Sequence, residues 1–239
     1  MADRLSYHLD LSADDRAAVL ALPCVVKTMD RTEYIVRDGE KPTHSCVMLK
    51  GYSVRTKIAG NGNRQIIAVH MKGDLVDLQN SFLRRADHGV QMLTRATVAM
   101  IPRENIVRLA AERPIVGQAM WMDTLVEGSI AREWIMNVGQ RDARTRIAHL
   151  LCEFSLRLKL AGLGEEDRYE LPMTQEQLAD TTGLTPVHVN RMLKGLEKDG
   201  LINRPTPRSI RIGNLPELAK VGDFDTNYLH LREDDQMLH

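Results

Sequence analysis

Cysteine is the first scarcity in this chain of 239 residues. Cys24, Cys46 and Cys152 are odd in number and widely spaced, which excludes a disulfide framework and a C-x-x-C metal pair. They read as structural thiols, and whether one is redox-active depends on exposure and local charge that a sequence does not display. Long apolar runs are missing too. None approaches the roughly eighteen residues of a membrane span, and the N-terminal MADRLSYHLDLSADDRAAVL carries acids where a signal peptide has an uninterrupted apolar core. A cytoplasmic protein with no membrane partner is expected. Net charge is absent as well, since 32 basic residues balance 32 acidic ones, so affinity for a polyanion must come from a local patch. There is no glycine-rich phosphate loop, no metal-ligand spacing and no nucleophile–base signature, so no catalytic residue, metal or cofactor is expected. Asp74 and Asp77 form a short-spaced carboxylate pair, read as helix caps or solvated residues. What remains is 43% hydrophobic residues in a length that suits two compact domains and a connector.

The most informative stretch is Thr174 to Ile212, TQEQLADTTGLTPVHVNRMLKGLEKDGLINRPTPRSIRI. Thr174 and Gln177 make a T-x-x-Q capping box, so a helix opens at Gln175, buries Leu178 and Ala179, and stops near Gly183, which suits a left-handed turn. Thr185 caps a second helix with Pro186 at its first position, and Val189, Met192, Leu193 and Leu196 repeat as one buried stripe. The opposite face carries Val187, Asn190, Arg191, Lys194 and Lys198, with His188 beside them, until Gly200 ends the helix. Two short strands, Leu201-Ile202-Asn203 and Ser209 to Ile212, then flank the basic turn Arg204-Pro205-Thr206-Pro207-Arg208. This is the pattern of a winged helix-turn-helix, whose second helix offers its first turns to base edges in DNA. His188, Arg191, Lys194, Lys198, Arg204, Arg208 and Arg211 outnumber Glu197 and Asp199, which suits phosphate contact. The expected DNA-binding residues are Thr185, Pro186, Val187, His188, Asn190, Arg191, Lys194, Arg204 and Arg208. A helical hairpin with a merely solvated polar face is the competing reading.

Upstream, Leu11 to Leu22 is an amphipathic helix candidate capped by Ser12 or Asp14 and closed by Pro23. From Val25 to about Ile101 the chain reads as short β-type runs punctuated by Asp38-Gly39, Lys50-Gly51, Gly60-Asn61-Gly62 and Lys72-Gly73-Asp74. Arg103 to Ala111 looks helical, and Pro114 starts a long helix that runs to about Val138. Ile115, Ala119, Met122, Val126, Ile130 and Trp134 form one apolar stripe of it, and Trp121, Leu125 and Ile135 a second side. Apolar on two sides, it needs two partners: its own β domain and the same helix of a second subunit, or else it is the core helix of a monomer. Ala119, Met122, Val126 and Ile130 are the expected dimerisation residues. Asn137-Val138-Gly139-Gln140-Arg141 reads as a break, and Asp142 caps a further helix through Leu160. A polar loop from Gly162 to Arg168, a strand Tyr169-Glu170-Leu171, the winged motif, a short helix Leu215 to Val221 and a tail follow. In the tail, Tyr228, Leu229 and Leu231 are expected to dock and Glu233 to His239 to fray.

Taken in this order, the chain resembles the Crp/Fnr family of bacterial transcription regulators. The glycine punctuation of the β runs matches, Arg141 to Leu151 is similar to the family's hinge and first DNA-domain helix, and LTPVHVNRMLKGLEKDGLI is similar to its recognition helix. The fold expected is α+β: an N-terminal cyclic-nucleotide-binding-like β-roll over 1–112, a long central dimerisation helix and hinge over 113–139, and a C-terminal winged helix-turn-helix with its tail over 140–239. The resemblance implies a homodimer that binds a two-fold symmetric operator in double-stranded DNA and adjusts transcription by contacting RNA polymerase or by blocking it. Gly162 to Arg168 occupies the place where some relatives touch polymerase.

Carried over residue by residue, Arg191 matches the arginine that many family members aim at guanine. Val187 stands where a glutamate is frequent and offers only apolar contact, for example to a thymine methyl, so the target sequence should differ. Asn190 reads adenine in bidentate fashion or binds phosphate or water, and His188 is assigned to phosphate. Cyclic-nucleotide-binding relatives use a Gly-Glu pair for the ribose and an Arg-Ser or Arg-Thr pair further on for the cyclic phosphate. Here the first pair is Gly73-Asp74, Arg84 and Arg85 lack the following hydroxyl, and Asp87-His88 brings an acid toward the phosphate. Asp74, Arg84 and Arg85 are therefore the candidate effector pocket, with simple solvation of the arginines as the alternative. Three scattered cysteines exclude a four-cysteine iron–sulfur cluster, and His44, His70 and His88 need no haem to explain them. The function expected is a homodimeric DNA-binding regulator, ligand-independent or responding to an unidentified signal in the β-roll. The alternative is a cyclic-nucleotide or redox sensor acting through a protein partner.

Overall fold

The computed structural model describes residues 1–163 and 168–232, so part of the Gly162 to Arg168 loop and the terminal Glu233 to His239 lie outside the described residues. The chain divides into two compact units, one of Met1–Ala59 and Ile67–Ser129, the other of Gly60–Ile66 and Ile130–His239. Among the described residues, no helix is long and apolar enough to cross a membrane.

The first unit opens with helices α1 (Ala2–His8) and α2 (Ala13–Leu20), the second capped by the Ser12 hydroxyl accepting from the Asp15 amide. Eight strands follow: β1 (Val25–Met29), β2 (Tyr34–Val36), β3 (His44–Lys50), β4 (Ser53–Ile58), β5 (Arg64–His70), β6 (Leu75–Val76), β7 (Gly89–Met92) and β8 (Ala96–Pro102). They form two four-stranded sheets in the orders β1-β8-β3-β6 and β2-β7-β4-β5. Met29, Cys46, Met48, Val76, Val90, Met92 and Val98 are buried in one cluster that fills the roll. Gly51 makes one of the tight turns possible: its φ is +83°, and an added Cβ would lie 2.6 Å from the Arg95 carbonyl oxygen. A second cluster gathers Leu5 and Val19 with Val47, Leu75, Ile101, Ile106, Leu109, Val116 and Ala119. It packs α1, α2, α3 (Arg103–Glu112) and the first turns of α4 (Pro114–Gln140) into one apolar body.

Helix α4 runs through the expected break at Asn137-Val138-Gly139-Gln140. Glycine lowers helix propensity by only about 1 kcal/mol, which surrounding packing can override, and Asn137 is fully buried. The chain turns at Arg141, whose guanidinium meets Glu133 at 2.7 Å and Asp223 at 2.9 Å. Asp142 then caps α5 (Ala143–Leu160) by accepting from the Thr145 amide.

In the second unit α5 packs on α7 (Pro186–Lys198) and α8 (Leu215–Val221), with α6 (Gln175–Thr182) beside α7. Ile147, Leu150, Leu151, Phe154 and Leu158 point from α5 into the core. The capping box of α6 is complete, with Thr174 and Gln177 each accepting from the other's backbone amide, and Gly183 leaves the helix at φ +67°. Strands β9 (Arg168–Glu170), β10 (Ile202–Asn203) and β11 (Ser209–Ile212) form an antiparallel sheet in the order β10-β11-β9. Leu229 and Leu231 are buried, and the Tyr228 hydroxyl donates to Glu153 at 2.7 Å, which docks the end of the chain.

Cap and core contribute on different scales. Thr174→Ala should lower stability by about 1 kcal/mol, whereas Leu196→Ala, at a fully buried position, should cost about 2–5 kcal/mol. Thermal unfolding followed by circular dichroism tests the order; equal losses from the two variants would contradict it.

Candidate nucleic-acid interface

Helix α7 is fixed in rotation by its buried side chains. Val189, Leu193 and Leu196 are buried and Met192 is half-buried. Thr185 caps the helix, its hydroxyl accepting from the His188 amide, and Pro186 occupies the first position, where a missing N–H costs nothing. The face left outward carries Val187, which is 81% exposed, with Arg191, Lys194 and Lys198 exposed and His188 and Asn190 half-buried. Among the described residues Arg191, Lys194, Lys198 and Arg208 make no ion pair. An uncommitted arginine next to an exposed apolar residue suits a base edge and a thymine methyl.

Arg204 differs from that expectation. Its side chain is only 10% exposed, and Nη2 lies 2.6 Å from the Glu197 carboxylate on the last turn of α7. The sequence placed it in a basic turn without indicating that the strand before it aims it back at the helix. Arg208, four residues on in the same turn, is exposed. A second arginine, Arg144 of α5, meets Asp199 at 2.6 Å just past the end of α7.

In the first unit the expected pocket residues do not come together. Asp74 is buried, accepts from the Met71 amide at 2.9 Å and lies 3.9 Å from Arg4. Arg84 and Arg85 are exposed, neither pairs with Asp74, and Arg85 donates to the Gly39 carbonyl at 2.9 Å. Asp77, read from sequence as a cap or a solvated residue, is instead almost fully buried, with φ +58°. Its carboxylate accepts from Arg55 at 2.9 Å and from His88 Nε2 at 2.8 Å, and Asn80 donates to its other oxygen at 3.0 Å. His88 Nδ1 also lies 2.7 Å from Asp87, and a ring that donates at both nitrogens is an imidazolium. Burial works against the charge on both partners. The hydrogen bond between them, with Arg55 nearby, nevertheless holds Asp77 below the usual carboxylate range, and the same bond and the Asp77 charge hold His88 above the usual imidazole value. Arg55 also reaches Glu127 of α4 at 3.5 Å, and Arg4 reaches Asp123 of α4 at 2.7 Å. Burial raises the Glu127 pKa, with Arg55 opposing.

Within one chain, helix α4 places the expected dimerisation residues unevenly. Ala119 and Val126 are buried within their own chain and are not free to meet a partner, while Met122 and Ile130 are half-buried. The other side is the open one: Trp121 is 67% exposed, Ile135 is 70% exposed, and Leu125 is exposed with them. Periodicity finds both stripes but does not say which one the β domain covers.

Residues 26–113 match the cyclic nucleotide-binding domain family, and residues 145–221 match the Crp-like helix-turn-helix domain family. The transcriptional activator protein FnrL of Cereibacter sphaeroides is 26% identical over 196 residues, 81% of this chain and 78% of that protein. The chain belongs to the Crp/Fnr family. It is a transcription regulator of that type with a helix-turn-helix DNA-binding domain. The nitrogen fixation regulation protein FixK of Bradyrhizobium diazoefficiens is 30% identical over 155 residues, 65% of this chain and 64% of that protein. The solved structure of FixK2 from Bradyrhizobium japonicum has the same fold, with a TM-score of 0.78 at 24% identity, covering 84% of this chain and 98% of that one.

Membership in this family raises the question of a cyclic nucleotide, and the residues do not fit one. The partly buried cations Arg4 and Arg55 of the first unit are already held by carboxylates, and Arg84 and Arg85 face solvent. A phosphate placed beside His88 would meet Asp77 and Asp87. The cysteines are equally constrained. Burial pushes the Cys46 and Cys152 thiols up to about 12, far from thiolate character, and only Cys24 is exposed.

Removing Arg55 strands buried carboxylates. Arg55→Met should destabilise the first unit by about 3–5 kcal/mol, while Arg85→Ala should stay within about 0.5 kcal/mol; urea titration that finds the two alike would refute the assignment. The pH dependence carries a sign. His88, with a raised pKa, stabilises the fold fully below 6.5 and loses that contribution as pH rises through its folded value; Asp77, with a lowered pKa, contributes above 3.8 and loses it on acidification. The wild-type melting temperature should therefore fall between about pH 6 and about pH 8 by more than that of His88→Gln. A parallel fall in both would exclude the His88–Asp77 pair as its source.

Proposed function

We propose that the chain acts as a homodimer that reads a two-fold symmetric duplex site through α7 and needs no cyclic nucleotide to do so. The observation that carries this reading is the outward turn of α7, where exposed Val187 and unpaired Arg191 stand on a face that Val189, Leu193 and Leu196 hold in place. Arg191 is assigned to a guanine O6/N7 edge, a contact worth about 1–3 kcal/mol of base discrimination, and Val187 to a thymine methyl. Thr185 and Pro186 bring the helix N-terminus toward the duplex, and Asn190 reads adenine or a phosphate. His188, Lys194 and Arg208 supply phosphate contacts, which position the protein without reading sequence.

The dimer reading rests on α4. Gln118, Trp121, Leu125, Gly128, Arg132 and Ile135 follow one another at alternating three- and four-residue steps, the spacing of a seam between two supercoiled helices. Trp121, Leu125 and Ile135 supply its exposed apolar surface. A second copy of the same helix is the matching occupant, because a two-fold axis makes each patch its own complement. That axis would also set two recognition helices for half-sites one helical turn apart. Ligand independence is supported by the Arg55–Asp77–His88 cluster, whose charges are already matched. Bound to its operator in the cytoplasm, the dimer adjusts transcription by contacting RNA polymerase or by blocking it.

Duplexes selected from a random pool without added ligand should converge on a symmetric site, and cyclic AMP should not change the affinity for it. Arg191→Ala should relax preference at one position per half-site by about 1–3 kcal/mol. Trp121→Glu with Leu125→Glu should sediment as a monomer and lose the symmetric site. Retention of only salt-sensitive, sequence-independent binding, with or without cyclic AMP, would count against the reading.

A further inference from the structure

Arg204 sits in the wing turn yet is not offered to solvent. We propose that Arg204 and Glu197 form a positioning pair that sets the wing against the recognition helix, so that Arg204 serves DNA binding without touching a phosphate. This inference rests on the DNA-reading function proposed above.

The geometry comes from the short connection between α7 and β10. Gly200 turns at φ +71°, the Leu201 amide returns to the Leu196 carbonyl at 3.0 Å, and the Gly213 amide closes on the Leu201 carbonyl at 2.9 Å. Gly213 has no room for a side chain, since an added Cβ would lie 2.4 Å from the Gly200 carbonyl oxygen. Ile202 is buried and pairs with Ile212, so the residue after β10 leaves the sheet beside the last turn of α7. There the Arg204 guanidinium meets Glu197 at 2.6 Å, and its Nε is buried without a protein partner. A side chain so enclosed cannot swing to a duplex without breaking a charge-assisted bond and exposing Glu197.

Glu197 explains why the bond is needed. A carboxylate on the last turn faces the negative end of the helix dipole and is unfavourable there without a cation. Arg204 neutralises it from the wing, as Arg144 neutralises Asp199 from α5. Gly195 keeps the second path open, because an added Cβ would lie 3.2 Å from Arg144 Nη1. The end of α7 is thus pinned through two carboxylates by two separate elements.

The test is the salt dependence of binding by the full chain to its selected duplex. A lost phosphate contact lowers the slope of log affinity against log salt by about 0.9, whereas a lost positioning bond leaves the slope unchanged. Arg204→Gln and Glu197→Gln should each weaken binding about tenfold with the wild-type slope, and the double variant should be no weaker than either single one. Arg204→Lys should recover part of the loss, and Arg208→Gln should give the shallower slope of a true phosphate contact. The proposal is overturned if Arg204→Gln flattens the slope as Arg208→Gln does, if Glu197→Gln binds as well as wild type, or if the two losses add. Should Arg204→Gln fail to fold, the exchanged pair Glu197→Arg with Arg204→Glu carries the same question: wild-type slope and near-wild-type affinity support it, and a flattened slope with weak binding overturns it. Failure of the DNA-reading function itself would appear in the unsubstituted protein, which would then select no duplex.

Discussion

The buried stripe of α7 is the constraint on which the second unit depends. Val189, Leu193 and Leu196 lock that helix against α5, and with the helix period fixed, no other choice of outward residues remains. Thr185 and Pro186 set where the helix begins, and the αL glycine Gly183 sets how α6 gives way to it. The direction of Val187 and Arg191 is therefore a consequence of core packing rather than of any surface interaction. The same logic makes the wing a dependent part: β10 and β11 are placed by buried Ile202, Ile210 and Ile212, and the turn between them follows.

Charge is distributed by the same rule. The chain has no net charge to draw it to a polyanion, so what matters is which cations remain uncommitted. Arg144 and Arg204 are tied to Asp199 and Glu197, and Arg4 and Arg55 to acids of the first unit. Arg191, Lys194 and Lys198 are left exposed on α7, and Arg208 on the wing turn. In the first unit the commitment is internal. Arg55 joins Asp77 of the roll to Glu127 of α4, and His88 closes the group with a second carboxylate on its far side. A buried group of this kind is costly to leave half-satisfied, which is why a ligand phosphate has no natural place in it.

Local chemistry was legible wherever one residue type has one physical use. The Thr174–Gln177 box, the Thr185-Pro186 start, the Asp142 cap and the run of short strands all follow from such residues, and each element lies where its signals put it to within a few positions. Helix α1 and the extension of α4 to Gln140 were not legible, because α1 has no side-chain cap and Asn137 to Gln140 read as a break until buried packing is known. The site was legible in part. Val187 and Arg191 face outward by periodicity alone, but the pairing of Arg204 with Glu197 depends on the path of the chain after Gly200. Asp77, His88 and Arg55 are far apart in sequence, and alternation along β4 says which residues share a face without saying that α4 covers it. The apolar sides of α4 were both visible, and only the fold distinguishes the covered one from the one that holds Trp121 and Ile135.

The central claim is that Arg191 reads a guanine from a helix whose rotation is set by the core. Its most direct measurement is binding to the selected operator with each guanine replaced in turn by 7-deazaguanine, which removes the N7 acceptor and leaves pairing intact. The account predicts a loss at one symmetric pair of positions for the wild-type chain and no further loss there for Arg191→Ala. Equal losses in both proteins, or none in the wild type, would contradict it.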